Sequence, residues 1–143
     1  MSRPAAAGGR FSPSLKIFLA LFSLLAAAAT GAEVQKLSPA EASQLVARGT
    51  AVLVDVREPA EWAETGIVTG AELLPKSDFD GAQKLWRPFL ARTAGRRIIL
   101  YCHSGRRAGI VASALAVQGR PAANAGGFPA WRDAGQPVHR LAP

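Results

Sequence analysis

The stretch Arg97-Ile98-Ile99-Leu100-Tyr101-Cys102-His103-Ser104-Gly105-Arg106-Arg107-Ala108-Gly109-Ile110-Val111-Ala112 decides the fold of this chain. A continuous apolar run at residues 98–101 is what a strand buried on both faces of a parallel sheet requires. The run ends in a thiol, turns at Gly105, and continues as a helix to about Gln118. That order puts Cys102 at the carboxyl end of a central strand, where α/β sheets bind their ligands. Residues 103–107 curl from strand to helix, so several backbone N–H groups converge near the sulfur, and Arg106 and Arg107 add permanent positive charge. Gly105 permits a backbone conformation that a side chain would hinder. The setting suits a negatively charged sulfur, the nucleophilic form of cysteine, held as an exposed thiolate.

Working outward, residues 51–56 form a second continuous apolar run, ended by Arg57-Glu58-Pro59, with Glu61-Trp62 in a short helical turn. Val34-Gln35-Lys36-Leu37 reads as a short edge strand. Ser38-Pro39-Ala40-Glu41 is a capping box with proline at the first helical position. The helix it opens carries Ala42, Leu45 and Val46 on one face and stops at Gly49. Residues 66–75 read as a loop feeding another short strand. Residues 80–93 have helical spacing, with Leu85, Phe89 and Leu90 on the apolar side and Pro88 as the expected kink or split. Ala122-Ala123-Asn124 forms a last short strand before Gly126-Gly127 and a turn bearing Trp131. Strands alternating with helices predict an α/β fold, a largely parallel central sheet flanked by helices on both faces.

The chain has 143 residues and a formal net charge of +7. Its start is basic (Arg3, Arg10, Lys16), with no acidic residue before Glu33. An apolar run of thirteen residues follows at 17–29, then Thr30-Gly31-Ala32. This is the three-part pattern of a secretory signal over residues 1–32, with cleavage after Ala32 and a single domain at 33–143. The run falls short of the ~17 residues that span a hydrocarbon core, so the expected product is periplasmic or secreted, without stable membrane association. Removing the leader's three basic residues lowers the net charge from +7 to +4. No Lys/Arg tract remains to suggest nucleic-acid binding, and a mildly basic surface attracts small anions instead. In an oxidising compartment a lone cysteine cannot form an internal disulfide, which leaves filler or chemistry as its use.

Four stretches, in order, resemble the single-domain rhodaneses, the thiosulfate sulfurtransferases of exported bacterial type. Asp55-Val56-Arg57-Glu58-Pro59 with Glu61-Trp62 is similar to the family's "DVRE…E(F/W)" segment. Residues 66–75 are similar to "GHIPGA…(I/L)P", with Ile67 and Thr69 where the family commonly shows His and Pro. Residues 102–107 resemble the active-site loop, and Asn124-Ala125-Gly126-Gly127 with Trp131 resembles the closing "GG…W" stretch. Together they cover about residues 35–135. The resemblance implies that Cys102 is the nucleophile and becomes a persulfide. His103, Ser104, Gly105, Arg106 and Arg107 would form the substrate cradle, with Arg107 first and Arg106 second in line to bind a donor's sulfonate. It implies a small anionic sulfur donor such as thiosulfate, a thiol or cyanide acceptor, and no metal or organic cofactor.

Other readings of the same residues are a sulfur carrier or binding module without turnover, and a cysteine phosphatase or arsenate reductase. Phosphatase-type loops hold five residues between Cys and Arg, whereas Cys102 and Arg107 enclose four. A thiol–disulfide oxidoreductase lacks its second cysteine. His103 is expected to be a loop residue facing solvent. Asp55 is assigned a structural role at its strand end, bonding nearby backbone or Arg57. Trp62, Trp86 and Trp131 are assigned to packing, and His139 carries no signal.

Overall fold

Alternate residues of the strand that leads to the cysteine enter two different cores. Ile98, Leu100 and Cys102 belong to one, Ile99 and Tyr101 to the other, as the two-residue period of a strand dictates. A computed structural model describes residues 33–142; the expected leader and its cleavage site lie outside the described residues. Five strands form one sheet: β1 (Gln35–Lys36), β2 (Ala51–Asp55), β4 (Glu72–Leu73), β5 (Arg97–Cys102) and β6 (Ala122–Gly127). Their order is β1-β6-β5-β2-β4, and every neighbouring pair is parallel. The fold is therefore the expected α/β one, with β5 at the centre.

Helices cover both faces. The first core lies under α3 (Lys76–Asp80), α4 (Trp86–Arg92) and α5 (Arg106–Val117), through Phe79, Trp86, Phe89, Ala108, Val111 and Leu115. Ala42 of α1 (Pro39–Ala47) and Phe128 and Trp131 of α6 (Phe128–Asp133) build the second. Helix α1 begins with the expected capping box: Ser38 Oγ accepts the Glu41 N–H, and the Glu41 carboxylate accepts the Ser38 N–H. All three tryptophans are buried. Among the described residues no helix is long and apolar enough to cross a membrane.

Three local expectations are corrected. The segment around Glu61 is a full helix, α2 (Pro59–Thr65), rather than a single turn. Residues 80–93 are not one helix broken at Pro88. The break falls at residues 81–85, because the Asp78 carboxylate accepts the N–H groups of Lys84, Leu85 and Trp86 and so starts a new helix. Pro88 sits in the first turn of α4, where its missing N–H forfeits no helical bond. Finally, the segment after Gly66 contributes two short strands. β4 joins the sheet, while β3 (Ile67–Val68) pairs antiparallel with β7 (Val138–His139), a strand the sequence did not announce. Thr69 N–H donates to Pro137 O at 2.8 Å and Thr69 Oγ1 lies 3.1 Å from His139 Nδ1, so the terminal segment braces this loop.

Candidate active site

Strand β5 ends on Cys102, and α5 starts four residues later at Arg106. Gly105 closes the turn between them in the left-handed region, at φ 90°. That conformation aims the Gly105 N–H back at the sulfur, and it donates to Cys102 Sγ at 3.0 Å. The first turn of α5 opens immediately beyond, so the positive end of a twelve-residue helix faces the same region.

Strand β6 braces the loop from one side. Asn124 Nδ2 donates to Gly105 O, and Asn124 Oδ1 accepts the Gly126 N–H, both at 2.9 Å. The two glycines have steric reasons to be there. A Cβ on Gly127 would lie 2.2 Å from His103 O, and one on Gly105 would lie 3.2 Å from Gly126 Cα. The consequence for the sulfur differs from the expected exposed thiolate: Cys102 is fully buried, with 0% exposure. Cys102 belongs to the first core, the one that also holds Ala108 and Val111 of α5.

The remaining loop residues diverge. His103, Ser104 and Arg106 are exposed, while Arg107 turns away toward α2. Its Nη1 and Nη2 donate to Glu61 Oε2 and Oε1, both at 2.7 Å, in a bidentate pair. Glu61 Oε2 also accepts the Glu58 N–H at 2.8 Å. The hydrogen bonds from Arg107 hold the Glu61 carboxyl at about 2, against the opposing effect of burial. The Arg107 pKa is raised, first by its bonds to Glu61 against desolvation, then by the charges of Glu61, Cys102 and Glu58. Arg107 thus lies within electrostatic reach of the sulfur while its guanidinium is anchored elsewhere.

Behind the loop, Asp55 and Arg57 form a buried ion pair, 0% and 1% exposed. Arg57 Nη2 donates to Asp55 Oδ2 at 2.7 Å and to Gly66 O at 2.7 Å, and Nη1 donates to Thr65 Oγ1 at 2.7 Å. Its guanidinium lies 4.3 Å from the Phe128 ring centroid. Burial lowers the Arg57 pKa, but the bonds and charge of Asp55 outweigh it and the net shift is upward. Asp55 thus has the structural contacts expected, its carboxylate holding Arg57, whose guanidinium bonds Thr65 and Gly66 at the end of α2.

Sequence reading named every loop residue but gave Glu61 and Asn124 no site role. Glu61 carries a detectable signal, an acid three residues into a helix cap, yet that signal announces capping alone. Asn124 had no signal beyond its place beside two glycines.

The chain matches the model of the rhodanese-like domain over residues 38–134. An uncharacterized protein of Synechocystis is 34% identical over 104 residues, 71% of this chain; the chain spans about half, 54%, of that relative. Among solved structures, a thiosulfate sulfurtransferase from Pseudomonas aeruginosa superposes with a TM-score of 0.60 at 28% identity, over 75% of this chain and 20% of that one. A polysulfide-sulfur transferase homodimer from Wolinella succinogenes gives 0.60 at 24%, over 92% and 96%. A Rhodopseudomonas palustris protein of unknown function, described as a possible tyrosine phosphatase, gives 0.62 at 24%, over 94% and 100%. The last two likenesses are of fold.

Proposed function

The chain belongs to the rhodanese-like domain family, and on that premise we propose that it is a sulfurtransferase working through a Cys102 persulfide. The Cys102 thiolate attacks the outer sulfur of thiosulfate or a similar anionic donor. A Cys102–sulfur bond forms, the donor's S–S bond breaks, and sulfite leaves with the bonding electron pair. A thiolate or cyanide then attacks the terminal sulfur of the persulfide, and Cys102 departs as thiolate. No metal or organic cofactor enters either step.

One observation carries the reading: the Gly105 N–H points at Cys102 Sγ from 3.0 Å, at the start of a helix. Amides preset at a reacting centre stabilise charge there without reorganising. The same donor set, with the backbone of His103, Ser104 and Arg106, cradles the terminal persulfide sulfur after transfer. Arg107 contributes to the donor's sulfonate whatever positive field Glu61 leaves uncompensated. The four-residue enclosure between Cys102 and Arg107 supports transfer of a single sulfur over that of a phosphoryl group. The basic and apolar leader supports work in the periplasm or outside the cell, after cleavage following Ala32.

Intact-mass spectrometry of exported protein tests both parts. After incubation with thiosulfate the chain gains one sulfur atom, cyanide removes it, and Cys102→Ser abolishes the gain. The unreacted mass corresponds to a chain starting at Glu33. Absence of the added sulfur refutes the sulfurtransferase reading, and a retained leader refutes the processed form.

A further inference from the structure

Two cations beside the loop have no carboxylate partner. Among the described residues the ion pairs engage Arg57, Lys76, Arg92, Arg107 and Arg132, but neither Lys36 nor Arg106. Lys36 ends β1, the edge strand that pairs with β6, and Arg106 opens α5. Both are exposed, and both line one cleft of about 460 Å³ with Leu37, Ser104, Gly105 and Asn124. No acidic side chain lines it. Gly105 belongs at once to the cleft wall and to the sulfur's hydrogen bond, so a single residue separates the cleft from the buried Cys102 Sγ, which does not itself line it. Asn124 is engaged with Gly105 and Gly126, which leaves the two cations, beside the Ser104 hydroxyl, as the groups facing a ligand there.

Volume and charge together define the occupant. A donor the size of thiosulfate needs a small part of this space, whereas sites for larger small molecules run from ~300 to ~1,000 Å³. We propose that the cleft is the acceptor subsite and that Lys36 and Arg106 select thiols bearing a carboxylate. This rests on the sulfurtransferase reading. The carboxylate pairs with the two cations while the acceptor's thiolate attacks the outer sulfur of the Cys102 persulfide. The S–S bond breaks, Cys102 takes the electron pair, and the acceptor leaves as its own persulfide.

The test uses protein already loaded with sulfur and compares its discharge by glutathione, which carries two carboxylates, with discharge by neutral 2-mercaptoethanol. Taking the ratio of the two rates, and comparing that ratio between variants, cancels the intrinsic reactivity of each thiol. Lys36→Glu is expected to lower the ratio about fivefold, the scale of a surface ionic contact, and Lys36→Arg to preserve it. High salt is expected to depress the wild-type ratio, because exposed charges are screened. An unchanged ratio in Lys36→Glu overturns the acceptor subsite, and so does an equal slowing with both thiols. A chain that never loads sulfur overturns the sulfurtransferase reading and this inference with it.

Discussion

Replacing Glu61 with glutamine removes one charge from a contact whose worth can be worked out. Arg107 grips Glu61 with two bonds of 2.7 Å, and the Glu58 N–H adds a third at 2.8 Å. Together they hold the carboxyl at about 2, against 4.5 for an unperturbed glutamate. That difference corresponds to at most about 3 kcal/mol of preference for the ionised form in the folded state. Both side chains are 30% exposed, so solvent screening reduces the stabilisation to about 1–2 kcal/mol. The folded-state pKa is depressed, so the contribution is fully present above the unfolded value and disappears as the pH falls toward 2. Urea unfolding of wild type and Glu61→Gln should therefore differ by about 1–2 kcal/mol at neutral pH. By about pH 3 more than half of that gap should be gone. A gap of equal size at both pH values would refute an ionic origin and assign the effect to packing.

Two further substitutions probe the frame behind the loop. Asp55→Asn leaves the Arg57 guanidinium buried without its counter-charge, and should cost about 3–5 kcal/mol in urea unfolding; a loss below about 1 kcal/mol would contradict the buried pairing. Gly127→Ala adds a Cβ that would sit 2.2 Å from His103 O. Gly127 has φ −110°, which alanine adopts freely, so the substitution isolates the steric approach. It should destabilise by about 1–3 kcal/mol and slow sulfur loading by displacing the loop. Unaltered loading and stability would mean that the β6 brace is dispensable.

The layout of the fold was legible because its signals are local and strong. The two continuous apolar runs, the Ser38–Glu41 cap and the strand–Gly105–helix succession each require one kind of structure. The break between α3 and α4 was misplaced because proline is the conspicuous breaker, while the actual agent is the Asp78 carboxylate reaching amides six to eight residues away. Strand β7 was missed because two exposed residues carry no periodicity, and its partner lies some seventy positions earlier. The candidate site divides along the same line. Loop chemistry follows from adjacent residues, but the Glu61 anchor and the Asn124 brace come from elements that only tertiary packing brings together. The close approach of Gly126 and Gly127 to Gly105 and His103 was illegible for a similar reason, since it comes from another strand.

The adjacent arginines at the start of α5 now have distinct consequences. Successive helical residues point about 100° apart, so side chains that are neighbours in sequence cannot serve the same spot. Arg107 turns to Glu61 on α2, while Arg106 faces the cleft shared with Lys36. The first is fixed and largely compensated, which suits holding the loop and its amides over a buried sulfur. The second is exposed and uncompensated, which suits meeting a charged molecule arriving from solvent. A lone arginine could not do both, because neutralisation by a carboxylate secures position at the expense of the free charge that attracts an anion. The paired arginines therefore set one guanidinium in an ion pair with α2 and leave the other without a carboxylate at the cleft.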